Sequence, residues 1–452
     1  MSNMLHTIQQ WHPEDNWFWE RIGKKIAKRN LKISIVCLLL SFCVWMLFSI
    51  VTIHLNSIGF NFSATQLFLL TAIPSISGAI LRVPYSFVIP IFGGRCWTAF
   101  STFILIIPCL WLGYAIENTN TSYIEFVIIA LLCGLGGANY ASSMANISFF
   151  FPKSRLGTAL GLNGGLGSLG VSVIQLVASL IIFFPMFDEK WVLLVNGRKI
   201  WLQNAALIWV PLLIISSAIA LWKMNDLPVV RASFKQQLIV VKDIKMWVLS
   251  LLYLGTFGSF IGFSAGFAML SKIQFPEIDI TIYAFWGPLI AVLAQPLGGI
   301  ISDKFNGTRI TMIIYLLMIL LVGLVLSSLP GVVTNKGSFI NFYITFLAMF
   351  FIAGFGSGST FQIIATLYRQ HVKNSLIKKG VNQTIANKNA IIETAAALGF
   401  ISAIGAIGGF FIPQIFSVSL LLFNSVNYAL VVFMIFYLIC TLVTKLIICN
   451  RI

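Results

Sequence analysis

The chain is 452 residues long, 58% hydrophobic and only 9% charged. Soluble domains carry about a quarter of their residues as charges, so this composition excludes one and points to a polytopic, all-α membrane protein. The formal charge of +16 raises the possibility of a nucleic-acid partner, which its placement along the chain then removes.

Apolar runs long enough to cross a bilayer, roughly 20 residues each, recur along the chain. They fall at about 32–54, 64–92, 97–116, 123–151, 156–184, 201–222, 246–271, 280–302, 309–329, 340–367, 390–422 and 425–448. Twelve spans put both termini on one side. That side receives 23 of the 29 Lys and Arg residues, from Arg21, Lys24 and Lys25 through Arg95, Lys153, Arg155, Arg231 and Lys235 to Lys445 and Arg451. The other side holds five: Lys190, Arg198, Lys199, Lys272 and Lys336; Arg82 is left inside a span. The positive-inside rule then places both termini in the cytoplasm. The basic balance expresses topology and attraction to anionic lipid, not nucleic-acid binding.

The stretch before the first apolar run lacks the short h-region and cleavage site of a signal peptide, so none is expected to be removed. The seven cysteines (37, 43, 96, 109, 133, 440, 449) lie in spans or near their expected cytoplasmic ends, without metal-site spacing. The longest basic connection, "KMNDLPVVRASFKQQLIVVKDIK" at 223–245, divides the spans six and six. The expected organisation is an N-terminal segment 1–31, a six-helix bundle 32–222, a linker 223–245 and a second bundle 246–448. Two six-helix halves are the layout of the major facilitator fold, whose site lies near the midplane where the halves meet.

The halves align with each other faintly. "LRVPYSFVIPIFGGRCW" (81–97) matches "AQPLGGIISDKFNGTRI" (294–310), setting Arg82 opposite Gln295 and Arg95 opposite Arg309. "CGLGGANY" (133–140) matches "AGFGSGST" (353–360), and "GLNGGLGSLG" (161–170) matches "GFISAIGAIG" (399–408).

Gly161, Gly164, Gly165 and Gly167, with Gly405 and Gly408 in the second half, lie within spans and are not followed by the Lys of a phosphate loop. Small residues let another backbone approach closely, which serves either plain packing or the sliding of helices during transport. Asn163 and Ser168 are the polar groups of the first stretch that could face a pathway. "GGIISDKFNGTR" carries Gly299, Asp303, Lys304 and Arg309 in a pattern that resembles the cytoplasmic loop motif of the major facilitator family, where it latches neighbouring helices.

All thirteen acids lie in loops or near span ends, and so do the four histidines. Proton coupling through a buried carboxylate is therefore disfavoured, and Arg82 has no obvious carboxylate partner. Arg82 stands ten residues before the expected span end at residue 92, about 15 Å at helical rise, too far for its side chain to snorkel fully. A buried guanidinium in a wet cavity suits a planar oxyanion. Tyr140 lies on a small-residue helix of the first half. Tyr253 and Phe257, at i and i+4, could clamp a flat anion or simply pack.

These residues, in "FCVWMLFS", "RVPYSF", "PIFGGR", "GANYASSMANISFFFPK", "GLNGGLG", "TFGSFIGFSAGFAMLSK", "GSGSTFQ" and "AAALGFISAIGAIGGFFIP", closely resemble the bacterial NarK-type nitrate/nitrite porters of the major facilitator superfamily. The resemblance covers nearly the whole chain. It implies transport of nitrate and nitrite, small inorganic anions, across the bacterial inner membrane, often by exchange. It also implies a multi-pass, monomeric protein with no cofactor and no metal. On it, Arg82 matches the family's substrate arginine, Tyr140 an aromatic that stacks on the anion, and Tyr253 and Phe257 further substrate contacts.

Two positions depart from the pattern. Ser168 replaces a substrate-binding Asn, and Gln295 replaces the second substrate arginine. One Arg and one nitrate form a neutral pair, so losing the second Arg predicts weaker affinity and looser coupling. A uniporter, or an exchanger of another small monoanion, becomes the alternative. A nitrate-sensing membrane protein is disfavoured by the absence of any signalling domain, and an enzyme by the absence of buried acids, metal-ligand clusters or an activated nucleophile.

Overall fold

The computed structural model describes residues 8, 10–187, 191–193, 197–227, 238–332 and 337–448. Lys190, Arg231, Lys235, Lys336, Cys449, Arg451 and the middle of the expected linker, 228–237, lie outside the described residues. Twelve helical segments are long and apolar enough to cross a membrane. In order they are span 1 (Asn16–Ile58), span 2 (Ala64–Tyr85), span 3 (Gly94–Glu117), span 4 (Tyr123–Phe150), span 5 (Ser154–Ile181) and span 6 (Asn204–Lys223). The second six are span 7 (Ile244–Gln274), span 8 (Ile280–Lys304), span 9 (Gly307–Ser328), span 10 (Phe339–Lys378), span 11 (Ala396–Phe423) and span 12 (Asn427–Ile447).

The expected order and number hold, while several boundaries move, span 10 among them, which runs on to Lys378 past the expected 367. Span 1 begins at Asn16, not 32, because the side chain of Asp15 caps its N-terminus by accepting from the backbone of Trp17 and Phe18. Trp19 and Ala27 then pack on Phe150 of span 4, so the basic stretch is helical and anchored. Span 2 ends at Tyr85, seven residues before the expected 92. Pro84 lies in its last turn, and the chain turns before a short helix at Ile89–Phe92.

A further correction concerns the division of the chain. It forms two compact units: Met1–Ala232 with Asp279–Phe285, and Ser233–Ile278 with Trp286–Ile452. Residues 279–285, expected in the second half, belong to the first. The Oγ atoms of Ser172 and Ser179 in span 5 donate to the carbonyls of Phe285 (2.9 Å) and Thr281 (2.7 Å). Thr281 also meets His54 of span 1 at 3.4 Å. A short hairpin pairs Val192 with Ile200 and Leu193 with Lys199 between spans 5 and 6.

Equivalent helices pair closely in each unit. In the first, span 4 lies against span 2 so tightly that a Cβ at Gly134 would collide with the side chain of Ser77 and meet the backbone of Pro74 and Gly78. In the second, span 10 lies against span 8, and a Cβ at Gly354 or Gly358 would collide with the carbonyls of Ala291 or Gln295. Gly134 and Gly354 occupy matching places in the two aligned stretches, so the faint internal repeat corresponds to the same helix pair packed backbone to backbone. Apolar lipid gives little hydrophobic drive between helices, and this close approach supplies the van der Waals contact instead.

Several buried polar side chains in the first unit bond to one another or to backbone. Asn139 Nδ2 donates to Ser41 Oγ (2.9 Å) and to the carbonyl of Ser101 (3.2 Å). Arg95, counted among the charges of the expected cytoplasmic side, is buried. Its Nε donates to Asp226 Oδ2 at 3.2 Å, and its Nη1 to the Leu221 carbonyl at 3.0 Å.

Replacing Gly134 or Gly358 by Leu is expected to force the paired spans apart at a cost of about 1–3 kcal/mol or more. A fall in the unfolding temperature of the purified protein, without a fall for Gly161→Ala, is the outcome that checks it.

Candidate functional site

In the first unit the site is built on the end of span 2. Arg82 is fully buried and sits in the last helical turn, three residues before the helix end at Tyr85. That position, closer to the end than the sequence suggests, helps to explain how the charge is tolerated, since carbonyl dipoles at a helix C-terminus favour a cation. Its Nε donates to the carbonyl of Gly137 on span 4 at 3.0 Å. The guanidinium carbon lies 4.8 Å from the Tyr140 ring centroid and 5.3 Å from that of Trp45. Cation–π contacts in a desolvated site contribute about 2 kcal/mol each.

Trp45 is in turn fixed by its indole N–H, which donates to the Pro74 carbonyl at 2.9 Å. Gly137 is glycine for a local reason: a Cβ there would stand 2.5 Å from the Trp45 ring. Sequence reasoning missed both. Trp45 lies in the quoted "FCVWMLFS", but a tryptophan inside an apolar span reads as packing until span 1 is laid beside spans 2 and 4.

One turn along span 4 from Tyr140, Ser143 forms a buried polar knot. Its Oγ is 2.8 Å from Ser34 Oγ, and Asn163 Nδ2 donates to it at 2.8 Å. Asn163 is fully buried, and its Oδ1 has no hydrogen-bond partner among the described residues. Ser168 is also buried, but its Oγ donates to its own helix, to the Gly165 carbonyl at 2.9 Å. Ser34 and Ser143 carried no sequence signal beyond being small and polar.

The glycines of the first stretch divide. A Cβ at Gly167 would meet Leu38 at 2.5 Å, which is packing. At Gly164 it would stand 3.2 Å from the Tyr140 hydroxyl. At Gly161 and Gly165 it would meet nothing within 4 Å. In the second unit a Cβ at Gly408 would collide with the backbone of Gly258, and one at Gly405 would stand 2.5 Å from the Tyr253 ring.

Tyr253 and Phe257 flank and enter a π-helical turn, Leu254–Gly258. Their rings stack on each other with centroids 5.0 Å apart and planes 6° from parallel. That spacing is an ordinary aromatic stack and leaves no layer between the rings for a planar anion. The two rings form one paired apolar surface. Gln295, on span 8, is half-buried, and its Nε2 is a buried donor with no hydrogen-bond partner among the described residues.

Asp303, Lys304 and Arg309 of the loop motif are exposed and make no ion pair among the described residues. Its turn is built by Asn306, whose Oδ1 accepts from the backbone of Thr308 (3.2 Å) and Arg309 (3.4 Å) to cap span 9. Gly299 is not the tight position of the motif. A Cβ there would be 3.8 Å from the Gly358 carbonyl, whereas one at the neighbouring Gly298 would collide with the backbone of Phe355.

The sequence pattern of the Major Facilitator Superfamily matches residues 33–386. Among curated proteins, the chain is 58% identical over 449 residues to the Nitrate/nitrite transporter NarU of Escherichia coli (strain K12), covering 99% of this chain and 97% of that one. It is 37% identical over 380 residues to the "Probable nitrate/nitrite antiporter NarK2" of Thermus thermophilus, covering 80% and 83%. Among solved structures it superposes on a bacterial homolog of the human lysosomal transporter Spinster with a TM-score of 0.65 at 14% identity, over 92% of this chain and 95% of that one. The inward open xylose transporter XylE from E. coli gives 0.62 at 15% identity, over 92% and 96%. These two likenesses speak to the fold alone. The chain belongs to the Major Facilitator Superfamily and, within it, to the NarK-type nitrate/nitrite porters.

Proposed function

We propose that this protein moves nitrate and nitrite across the bacterial inner membrane by alternating access, as an anion exchanger, with Arg82 as the anchor for the anion. The observation that carries the reading is the Arg82 guanidinium itself. It is a permanent charge taken wholly out of water, steadied by Gly137 and by the rings of Tyr140 and Trp45. Such a charge has little structural use in a membrane and is matched by a small planar anion. The printed names of the relatives, nitrate/nitrite transporter and antiporter, support the substrate and the exchange. Within the second unit, Tyr253, Phe257 and the Gln295 amide, whose Nε2 has no hydrogen-bond partner among the described residues, are the candidate anion contacts.

Gln295 favours a second reading within transport. An amide donates a hydrogen bond but carries no charge, so the empty site holds one cation in place of two. The empty carrier then returns more readily, which loosens exchange towards uniport and relaxes the preference among small monoanions.

Proteoliposomes test both readings. Nitrate uptake is expected to rise on preloading with nitrite and to fall at least about 100-fold for Arg82→Ala, since removing one partner of a buried charge pair costs about 3–5 kcal/mol. Gln295→Arg is expected to tighten apparent affinity about tenfold or more and to make uptake depend fully on preloading. Undiminished uptake in Arg82→Ala overturns the anchor; no nitrate uptake by the wild type overturns the substrate.

Gly161 and Gly165 meet nothing in this structure, which favours a role in movement over packing at these two places. Gly161→Val is expected to keep the unfolding free energy within about 1 kcal/mol of wild type and to slow exchange several-fold. The termini are assigned to the cytoplasm on the distribution of Lys and Arg. A cysteine introduced near residue 10 should resist a membrane-impermeant maleimide in intact cells and react after lysis. We also take the protein to work as a monomer.

A further inference from the structure

The second unit holds a cavity unrelated to Arg82. The ends of spans 7, 8, 9, 10 and 12 enclose an open pocket of about 970 Å³, within the size range of small-molecule sites. Four basic side chains, Lys245, His371, Lys378 and Lys379, line it together with Thr308 and Asn374, and no carboxylate is among its lining residues. Two carboxylates stand near the lining: partly exposed Asp243, its Oδ2 3.3 Å from His371 Nε2, and Glu393, within electrostatic reach of Lys379. None of the three lysines makes an ion pair among the described residues.

From this arrangement we propose that the pocket is a binding site for a phosphate-bearing anion. Lysine is a compact point charge suited to phosphate oxygens, and three of them around one volume exceed what a single monoanion neutralises. A phosphate monoester carries about −1.5 to −2 charges at neutral pH, which matches better. The N-terminus of span 9, at Gly307 and Thr308, opens on the same space and adds the positive end of its dipole. One wall is span 10, whose π-helical turn Ile364–Tyr368 precedes the segment carrying His371 and both exposed lysines. A ligand there would tie the end of span 10 to the starts of spans 7 and 9.

A lipid headgroup and a soluble phosphate compound share this chemistry, because basic pockets at span ends also receive anionic lipid. The purified full-length chain in detergent separates them, with thermal unfolding measured against short-chain phosphatidic acid, whose headgroup is a phosphate monoester, and against phosphatidylcholine, glycerol phosphate, inorganic phosphate and nitrate. Stabilisation by phosphatidic acid alone identifies a headgroup site; stabilisation by the soluble phosphates as well identifies a soluble ligand. In either case the paired substitution Lys378→Gln with Lys379→Gln is expected to weaken apparent affinity at least about tenfold. The single substitution Lys245→Gln reads the same site if that pair fails to fold. The proposal is overturned if no phosphate compound stabilises the protein, if the lysine variants respond like wild type, or if nitrate or phosphatidylcholine acts equally well. Binding is read without transport, so this outcome is independent of the fate of Arg82.

Discussion

Keeping one guanidinium out of water is the demand around which the first unit is arranged. A charge at membrane depth is costly, and each neighbour of Arg82 lowers that cost in a different way. The helix end at Tyr85 supplies carbonyl dipoles, Gly137 supplies a hydrogen-bond acceptor, and Tyr140 and Trp45 supply ring faces. These groups come from spans 1, 2 and 4, so the site depends on those three helices being close. Gly134 and Gly137 make that approach sterically possible, and the bond from Trp45 to the Pro74 carbonyl fixes it.

The same packing device appears in the second unit with a different chemical result. Spans 8 and 10 meet through Gly298, Gly354 and Gly358 as spans 2 and 4 meet through Gly78 and Gly134. Where the first unit places Arg82, however, the aligned position of the second carries Gln295 and its unsatisfied amide donor. Packing has been kept while charge has been dropped. Taken each by itself, the first unit carries a buried cation at this place and the second a neutral amide.

Charges outside the spans are used in several ways. Arg95 is buried on Asp226 and the Leu221 carbonyl, and so holds the end of span 6 against the start of span 3. Glu20 bridges Lys24 and Arg155 at the exposed edge, where such pairs contribute little. Lys245, Lys378 and Lys379 face a common cavity without carboxylate partners among the described residues. Sequence counts treat the basic members of all three groups alike, although the first is buried in an ion pair, the second is paired at the surface and the third makes no ion pair among the described residues.

The sequence by itself determined the membrane class, the twelve spans, the two halves and Arg82 as a charge that needs a purpose. These follow from one-dimensional quantities: apolar run length, loop charge and an arginine inside a run. Repeated glycine spacing also made the internal repeat visible. Tertiary structure decided the rest. Pro84 could be read as a helix ending or a kink, and only the fold places Arg82 in a last turn. The docking of 279–285 on spans 1 and 5 rests on single serine bonds across more than a hundred residues, which no local pattern encodes. Trp45, Gly137 and Ser143 became site residues for the same reason. Their roles lie in distances between helices, and distance between helices is not a property of any one helix's sequence.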